Sequence, residues 1–220
     1  MANARDSVAV IGDLVRSKDT TDRVGLHRAL EASLAAVNSQ LELLDEFKPT
    51  IGDELQGVFR EIAPAIRATL LLRLELFRRE GVDSRYGIGF GPITILDEAT
   101  RNTQDGPAWW AARSAIDQVK TMAEEPRTAF LRTRFELPKE RGKASLREEA
   151  AINAFLFTRD AIVGRMSPRS RRLLLGILAG RRQAQLAEEE GIYQSAVSQN
   201  LAQSGAYSIV TAEVELGVSS

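Results

Sequence analysis

The chain has 220 residues, is 44% hydrophobic and 27% charged, and carries a formal net charge of −1. This is the composition of a folded protein with a sizeable core. No apolar run is long enough to span a bilayer and Met1 to Asp6 are polar, so neither a membrane segment nor a signal peptide is expected and the reading is cytoplasmic. Cys is absent and His27 is the single histidine. Disulfides, thiolate metal sites and His-built zinc or Ser–His chemistry are therefore excluded or disfavoured, and any catalysis is left to carboxylates, Arg, Lys or backbone groups.

In chain order, Ser7 to Gly12 is a short β-branched run that reads as a buried strand. Apolar residues at 26, 30, 34, 37, 41 and 44 predict an amphipathic helix over 26–44. Phe47 to Ile51 and Leu55 to Phe59 read as two strands, with Gly52-Asp53 as the tight turn of a hairpin. Pro64 opens a helix whose buried stripe is Ile66, Leu70, Leu74 and Phe77, and Gly81 ends it. Tyr86 to Leu96 predicts a strand pair bent at Gly89 and Gly91. Gly106-Pro107 opens a helix reaching Met122, and Thr128 to Phe135 is a last strand. This order predicts an α+β fold: a mostly antiparallel sheet with helices on one side, as in ferredoxin-like folds.

Beyond it, 136–143 reads as a linker with Pro138 and Gly142, and Ser145 to Glu148 as a capping box opening a helix. Ser167-Pro168 starts another helix, and everything after it reads as helical. Three parts are expected: an α/β domain over 1–136, a linker and connecting helix over 137–164, and a helix-turn-helix over 165–220.

Two carboxylates stand out. Asp13 falls where the first strand ends, and Asp53 falls in the hairpin turn that follows. A strand end and a neighbouring hairpin tip can lie side by side, and two carboxylates there repel unless a cation lies between them. Oxygen ligands alone suit Mg²⁺ or Mn²⁺, which usually arrives with nucleotide phosphates. The plain alternative is a turn aspartate without metal.

VAVIGDLVRS (8–17), PTIGDELQGVFREIAPAIRATL (49–70), YGIGFGPI (86–93) and GPAWWAAR (106–113) resemble, in that order, successive segments of class III nucleotide cyclases. GDELQG, GIGFG and DGPAWWAAR together resemble the SatD family. The cyclase resemblance spans roughly residues 7 to 135 and implies that fold, with Asp13 and Asp53 as metal positions and Arg113 as the arginine that meets transition-state or phosphate charge. It implies a ligand site of Asp13, Leu14, Asp53, Glu54, Trp109 and Arg113. Two positions depart from the pattern: Trp109 stands where the cyclases have a ribose-orienting Asn, and Pro49 where they have a base-reading Lys, with Lys48 beside it. Losing an orienting hydrogen bond costs orders of magnitude in rate, whereas metal and phosphate binding needs only the aspartates. The expectation is a domain that binds a nucleotide or cyclic nucleotide without efficient turnover. Adjacent Trp109 and Trp110 cannot face the same way, so at least one is expected in the core or an interface, the alternative being a ring stacked on a base. Glu54 and Gln56 face either a ligand or solvent.

Between Arg165 and Arg182 every charged residue is an arginine. Ala187, Gly191, Val197 and Leu201 have the spacing of a helix-turn-helix. The run from Ser167 to Leu201 resembles the DNA-binding helices of LuxR-type regulators and of sigma factor region 4. Tyr193, Gln194, Ser195, Ser198 and Gln199 would then face bases, and Arg169, Arg171, Arg172, Arg181 and Arg182 phosphates. The bland alternative is a small helical bundle used for dimerisation.

The leading expectation is a homodimeric, DNA-binding transcription regulator with a nucleotide-responsive, cyclase-like domain. The alternatives are a divalent-metal-dependent nucleotide cyclase with a regulatory helix-turn-helix, and an adaptor in which both parts have lost those roles.

Overall fold

A computed structural model describes residues 5–15, 22–50, 52–96, 104–138 and 143–217. The hydrophobic runs become β1 (Arg5–Leu14), β2 (Asp45–Pro49), β3 (Glu54–Phe59) and β4 (Ser84–Ile95), with short β5 (Gln104–Asp105) and β6 (Thr133–Glu136). They form one sheet in the order β2-β3-β1-β4-β5, with β6 also pairing with β4. All pairings are antiparallel except β4 with β6.

Between the strands lie α1 (Arg23–Asn38), α2 (Ile62–Glu80) and α3 (Pro107–Met122). The first helix is shorter than the apolar spacing suggested. Asp22 caps its start by accepting from Gly25 N at 2.8 Å. Asn38 ends it by bracketing Phe47, donating to its carbonyl and accepting from its N–H. Leu41 and Leu44 consequently lie on the connection to β2.

The predicted strand pair over 86–96 is instead one continuous strand, β4. Its glycines serve close approach. A Cβ on Gly87 would lie 2.1 Å from the carbonyl oxygen of Ala112, and one on Gly89 2.1 Å from that of Ala108. Only bare backbone lets α3 lie this close to the strand. The strand expected over 128–135 shrinks to β6, its first half being turns.

Helices cover both faces of the sheet, not one. Successive side chains of β1 alternate: Val8, Val10 and Leu14 join the main core with α1 and α2, while Ala9 and Ile11 pack on Ala108, Ala112 and Ile116 of α3. The main core continues into α4 (Lys143–Arg165), α5 (Pro168–Leu178), α6 (Gln183–Glu190), α7 (Gln194–Gln203) and α8 (Ala206–Glu215), so that Val8 and Ile209 belong to one apolar cluster. The capping box at Ser145 is not the start of α4, which begins at Lys143. Of the linker, 139–142 lies outside the described residues. Ser167 caps α5 as its sequence implies, accepting from Ser170 N at 3.1 Å.

A buried polar network ties these layers together. Arg73 of α2 meets Asp83 at 2.7 Å and Asp160 of α4 at 3.4 Å; Arg132 also reaches Asp83 at 2.7 Å. Arg159, fully buried, donates to the Ile66 carbonyl and the Thr133 hydroxyl, and Asp160 accepts from the N–H groups of Arg132 and Thr133. Such charges tolerate burial because each is paired and hydrogen-bonded.

Candidate functional site

The register of β1 on β3 sets Asp13 opposite Glu54, the residue after Asp53. The turn at Gly52 and Asp53 therefore lies beside the end of β1. The side chain of Asp13 points to the α3 face, where its Oδ2 lies 3.3 Å from the Nζ of Lys120 and 3.7 Å from the Nε of Arg85. Burial is the largest influence on Asp13 and raises its pKa above the usual carboxylate value; Lys120 opposes this and the charge of Asp53 adds to it. One helical face of α3 supplies a second cation: Arg113 grips Glu54 with two hydrogen bonds of 2.7 and 2.8 Å. Burial would raise the Glu54 carboxyl, but Arg113 outweighs it and holds it low.

On the α1 side of the same sheet end is a cavity of about 330 Å³, lined by Leu14, Arg23, Leu26, His27, Leu30, Gly52 and Asp53. Arg23 and His27 stand in the first turns of α1, so this wall combines two basic side chains with the positive end of a helix.

The structure thus brings Asp13, Asp53, Glu54 and Arg113 together and places Leu14 at the adjoining cavity. Trp109 does not join them. It packs on the Ala9–Ile116 cluster and lines a different cavity of 260 Å³ beside β2, with Lys48, Pro49 and Gln104. Its buried Nε1 has no hydrogen-bond partner among the described residues. Trp110 is 62% exposed and donates to Asp105. Sequence reasoning missed Lys120, Arg85, Arg23 and His27. Lys120 was within reach: it follows Arg113 by two turns on α3, hence on the same face.

Two carboxylates, with oxygen donors only, do not make a cage: among the described residues no three metal-ligating side chains cluster. Such a pair fits a Mg²⁺-type ion that keeps waters and phosphate oxygens as its remaining ligands.

In the C-terminal helices, Gly191 takes a left-handed conformation (φ 64°) between α6 and α7. Tyr193, Gln194, Ser195 and Gln199 are exposed, and Ser198 is half-buried with its hydroxyl 3.5 Å from that of Tyr207. The arginines are mostly engaged. Arg172 makes two hydrogen bonds to Glu190, Arg169 lies 3.4 Å from the same carboxylate, and Arg181 pairs with Glu189. Arg171 lies 3.8 Å over the Phe77 ring and donates to the carbonyls of Val163 and Gly164. Arg182 is exposed.

Fold and site together define an α+β protein with a carboxylate pair at a strand end and a helical C-terminal part packed onto the same core. The model of the SatD family matches residues 7–211, and the chain belongs to that family. No curated protein is a significant sequence match. Two solved structures are similar: a bacterial light-regulated adenylyl cyclase (13% identity, TM-score 0.41, 56% of this chain and 42% of that one) and an adenylate/guanylate cyclase/hydrolase from Silicibacter pomeroyi (21%, TM-score 0.37, 51% and 69%). The match thus spans less than half the length of the first. No helix among the described residues is long and apolar enough to cross a membrane.

Proposed function

We propose that the chain is a DNA-binding regulator whose sheet end binds a metal-borne nucleotide or nucleotide-derived ligand without efficient turnover. The observation that carries the ligand half is the pairing of Asp13 with the Gly52–Asp53 turn beside the cavity walled by Arg23 and His27. Asp13 and Asp53 would hold Mg²⁺ or Mn²⁺, and the ion would neutralise phosphate charge. Arg23, His27 and the start of α1 would meet the phosphate oxygens. Arg113 is engaged by Glu54, and Trp109, which stands where the cyclases have a ribose-orienting Asn, lines a separate cavity. This favours binding over cyclisation.

The second half rests on α6, the Gly191 turn and α7, whose exposed face presents Tyr193, Gln194, Ser195 and Gln199 for a major groove. Arg182, and Arg169, Arg172 and Arg181 on exchanging Glu189 and Glu190 for phosphates, would position the duplex. Arg171 belongs to the junction with α2. DNA half-sites and the cyclase resemblance both favour a homodimer. A ligand would act by preferring one arrangement of the two halves.

The test of the ligand half is thermal unfolding with ATP, GTP and cyclic nucleotides, with and without Mg²⁺, beside an Asp13→Ala, Asp53→Ala variant. A ligand at 100 times its Kd stabilises by about 2.7 kcal/mol. A metal-dependent shift lost in the variant supports the reading, and no shift with any nucleotide rejects it. For the DNA half, a random duplex pool is selected on the wild type and on Gln194→Ala, Gln199→Ala. Enrichment of a sequence by the wild type alone is expected; no enrichment at modest salt leaves the helical-bundle alternative. Conversion of ATP or GTP to a cyclic product with Mn²⁺ would instead establish the cyclase reading, which the retained aspartates favour.

A further inference from the structure

We propose that Lys120 is a built-in counter-cation that competes with a divalent metal ion for Asp13, so that metal enters only as the Lys120 ammonium leaves. The inference rests on the nucleotide–metal reading and names a control on that site.

Three observations carry it. The Lys120 Nζ lies 3.3 Å from Asp13 Oδ2, within direct ion-pair range, and Arg85 approaches the same oxygen at 3.7 Å. The two cations differ in freedom. Arg85 sits on β4 directly across from Asp13 in the sheet register, and its buried Nε makes no hydrogen bond among the described residues. Lys120 is in the last turn of α3 with its side chain 38% exposed. A compact ammonium on a flexible four-carbon stem can swing into water without disturbing the helix. Finally, Asp13 is half-buried and feels the charge of Asp53, so the pair needs positive charge nearby whether or not metal is bound.

A metal ion held by Asp13 and Asp53 would take over the electrostatic role that Lys120 fills at Asp13. Its binding must then overcome an existing attraction. Free metal is disfavoured, while metal arriving with a polyphosphate brings an anion able to receive the displaced ammonium. Lys120 would therefore act as a selectivity device, favouring the metal–nucleotide complex over the ion alone. Arg113 does not play this part, because its two-pronged grip on Glu54 is geometrically committed.

The experiment is titration of the full chain with Mn²⁺ alone, free Mn²⁺ being read by its paramagnetic resonance signal. The wild type is compared with Lys120→Met, Lys120→Arg and the double variant Lys120→Met, Asp13→Asn. Circular dichroism confirms that each is folded. Lys120→Met is expected to bind Mn²⁺ about tenfold more tightly, the scale of one nearby opposite charge. Lys120→Arg, which keeps the charge, should stay near the wild type, and the double variant should lose the gain. Equal or weaker Mn²⁺ binding by Lys120→Met overturns the inference, as does a gain that survives Asp13→Asn. If nucleotide still stabilises the wild type with Mg²⁺ in those cases, the site reading stands and the Lys120 role alone fails. If nucleotide gives no shift either, both fall.

Discussion

Asp83 and Asp13 are both half-hidden carboxylates with arginine or lysine partners, yet they respond to pH in opposite ways. Burial pushes the Asp83 carboxyl up, but Arg73 and Arg132 outweigh it and hold it below its ordinary 3.8. Its contribution to stability is present above the unfolded-state pKa and is lost as pH falls through the folded one, so acid loosens the network below about pH 4. Asp83→Ala leaves Arg73 buried without its closest partner and should cost about 3–5 kcal/mol, read from the denaturant midpoint at pH 7. An undiminished midpoint would mean that Asp160 alone satisfies Arg73. At Asp13 the folded pKa is raised, chiefly by burial. The sign reverses: the unfolded chain ionises first, so Asp13 weakens the fold as pH rises above about 3.8. Asp13→Asn should therefore melt higher than the wild type at pH 7 and lose that advantage near pH 3. A variant that melts lower at pH 7 would show that the Lys120 pair stabilises more than burial costs.

The contact of α3 with β4 decides the site at the scale of elements. The helix can place Arg113 and Lys120 over Glu54 and Asp13 only because Gly87 and Gly89 let it lie against the strand. In Gly89→Ala the new Cβ would stand 2.1 Å from the Ala108 carbonyl oxygen and 2.3 Å from Ala112 N, both backbone atoms that cannot swing aside. Displacement of α3 should cost about 1–3 kcal/mol or more. It should also weaken the nucleotide-dependent thermal shift, though no residue of the aspartate pair is touched. A lower melting point with an unchanged nucleotide shift would separate helix packing from the site. The helix α2 teaches a related lesson. Its sequence shows one apolar stripe, but Ala65, Ala68, Leu71, Leu72 and Leu76 are buried as well as Ile66, Leu70 and Leu74. A single stripe describes a surface helix. This one is enclosed by α1 and the sheet on one side and by α5 on the other, which only the packing of the C-terminal helices creates.

For the whole molecule, the continuous core predicts cooperative behaviour. Arg67 of α2 donates to the Leu178 carbonyl at 2.5 Å and lies 3.4 Å from the buried Glu213 of α8, so polar ties reinforce the apolar cluster that joins sheet and C-terminal helices. Heat or denaturant should unfold the chain in one transition, with tryptophan fluorescence, which reports on α3, and far-ultraviolet circular dichroism giving the same midpoint. Two separated transitions would mean that the C-terminal helices fold independently. A chain ending at Arg165 would leave the α5-facing side of α2 in water and should melt well below the full chain, or fail to fold.

The sequence by itself determined what depends on neighbours along the chain. A short β-branched run marked β1, the Gly52-Asp53 turn marked the β2–β3 hairpin, and Ser167-Pro168 and Gly191 marked the limits of the C-terminal helices. The two aspartates could be singled out because a strand end and a turn are local features. Tertiary structure decided what depends on distant partners. Gly89 looks like a bend until a helix from further along the chain is seen lying on it and on Gly87. Lys120 looks like a solvated charge until the register of β1 and the seating of α3 put it on Asp13. Nor does any spacing reveal that Glu189 and Glu190 hold three of the arginines expected to meet phosphate. Local propensity acts over a few residues, whereas the pairing of a charge is settled by whichever groups the completed fold brings within a few ångströms of it.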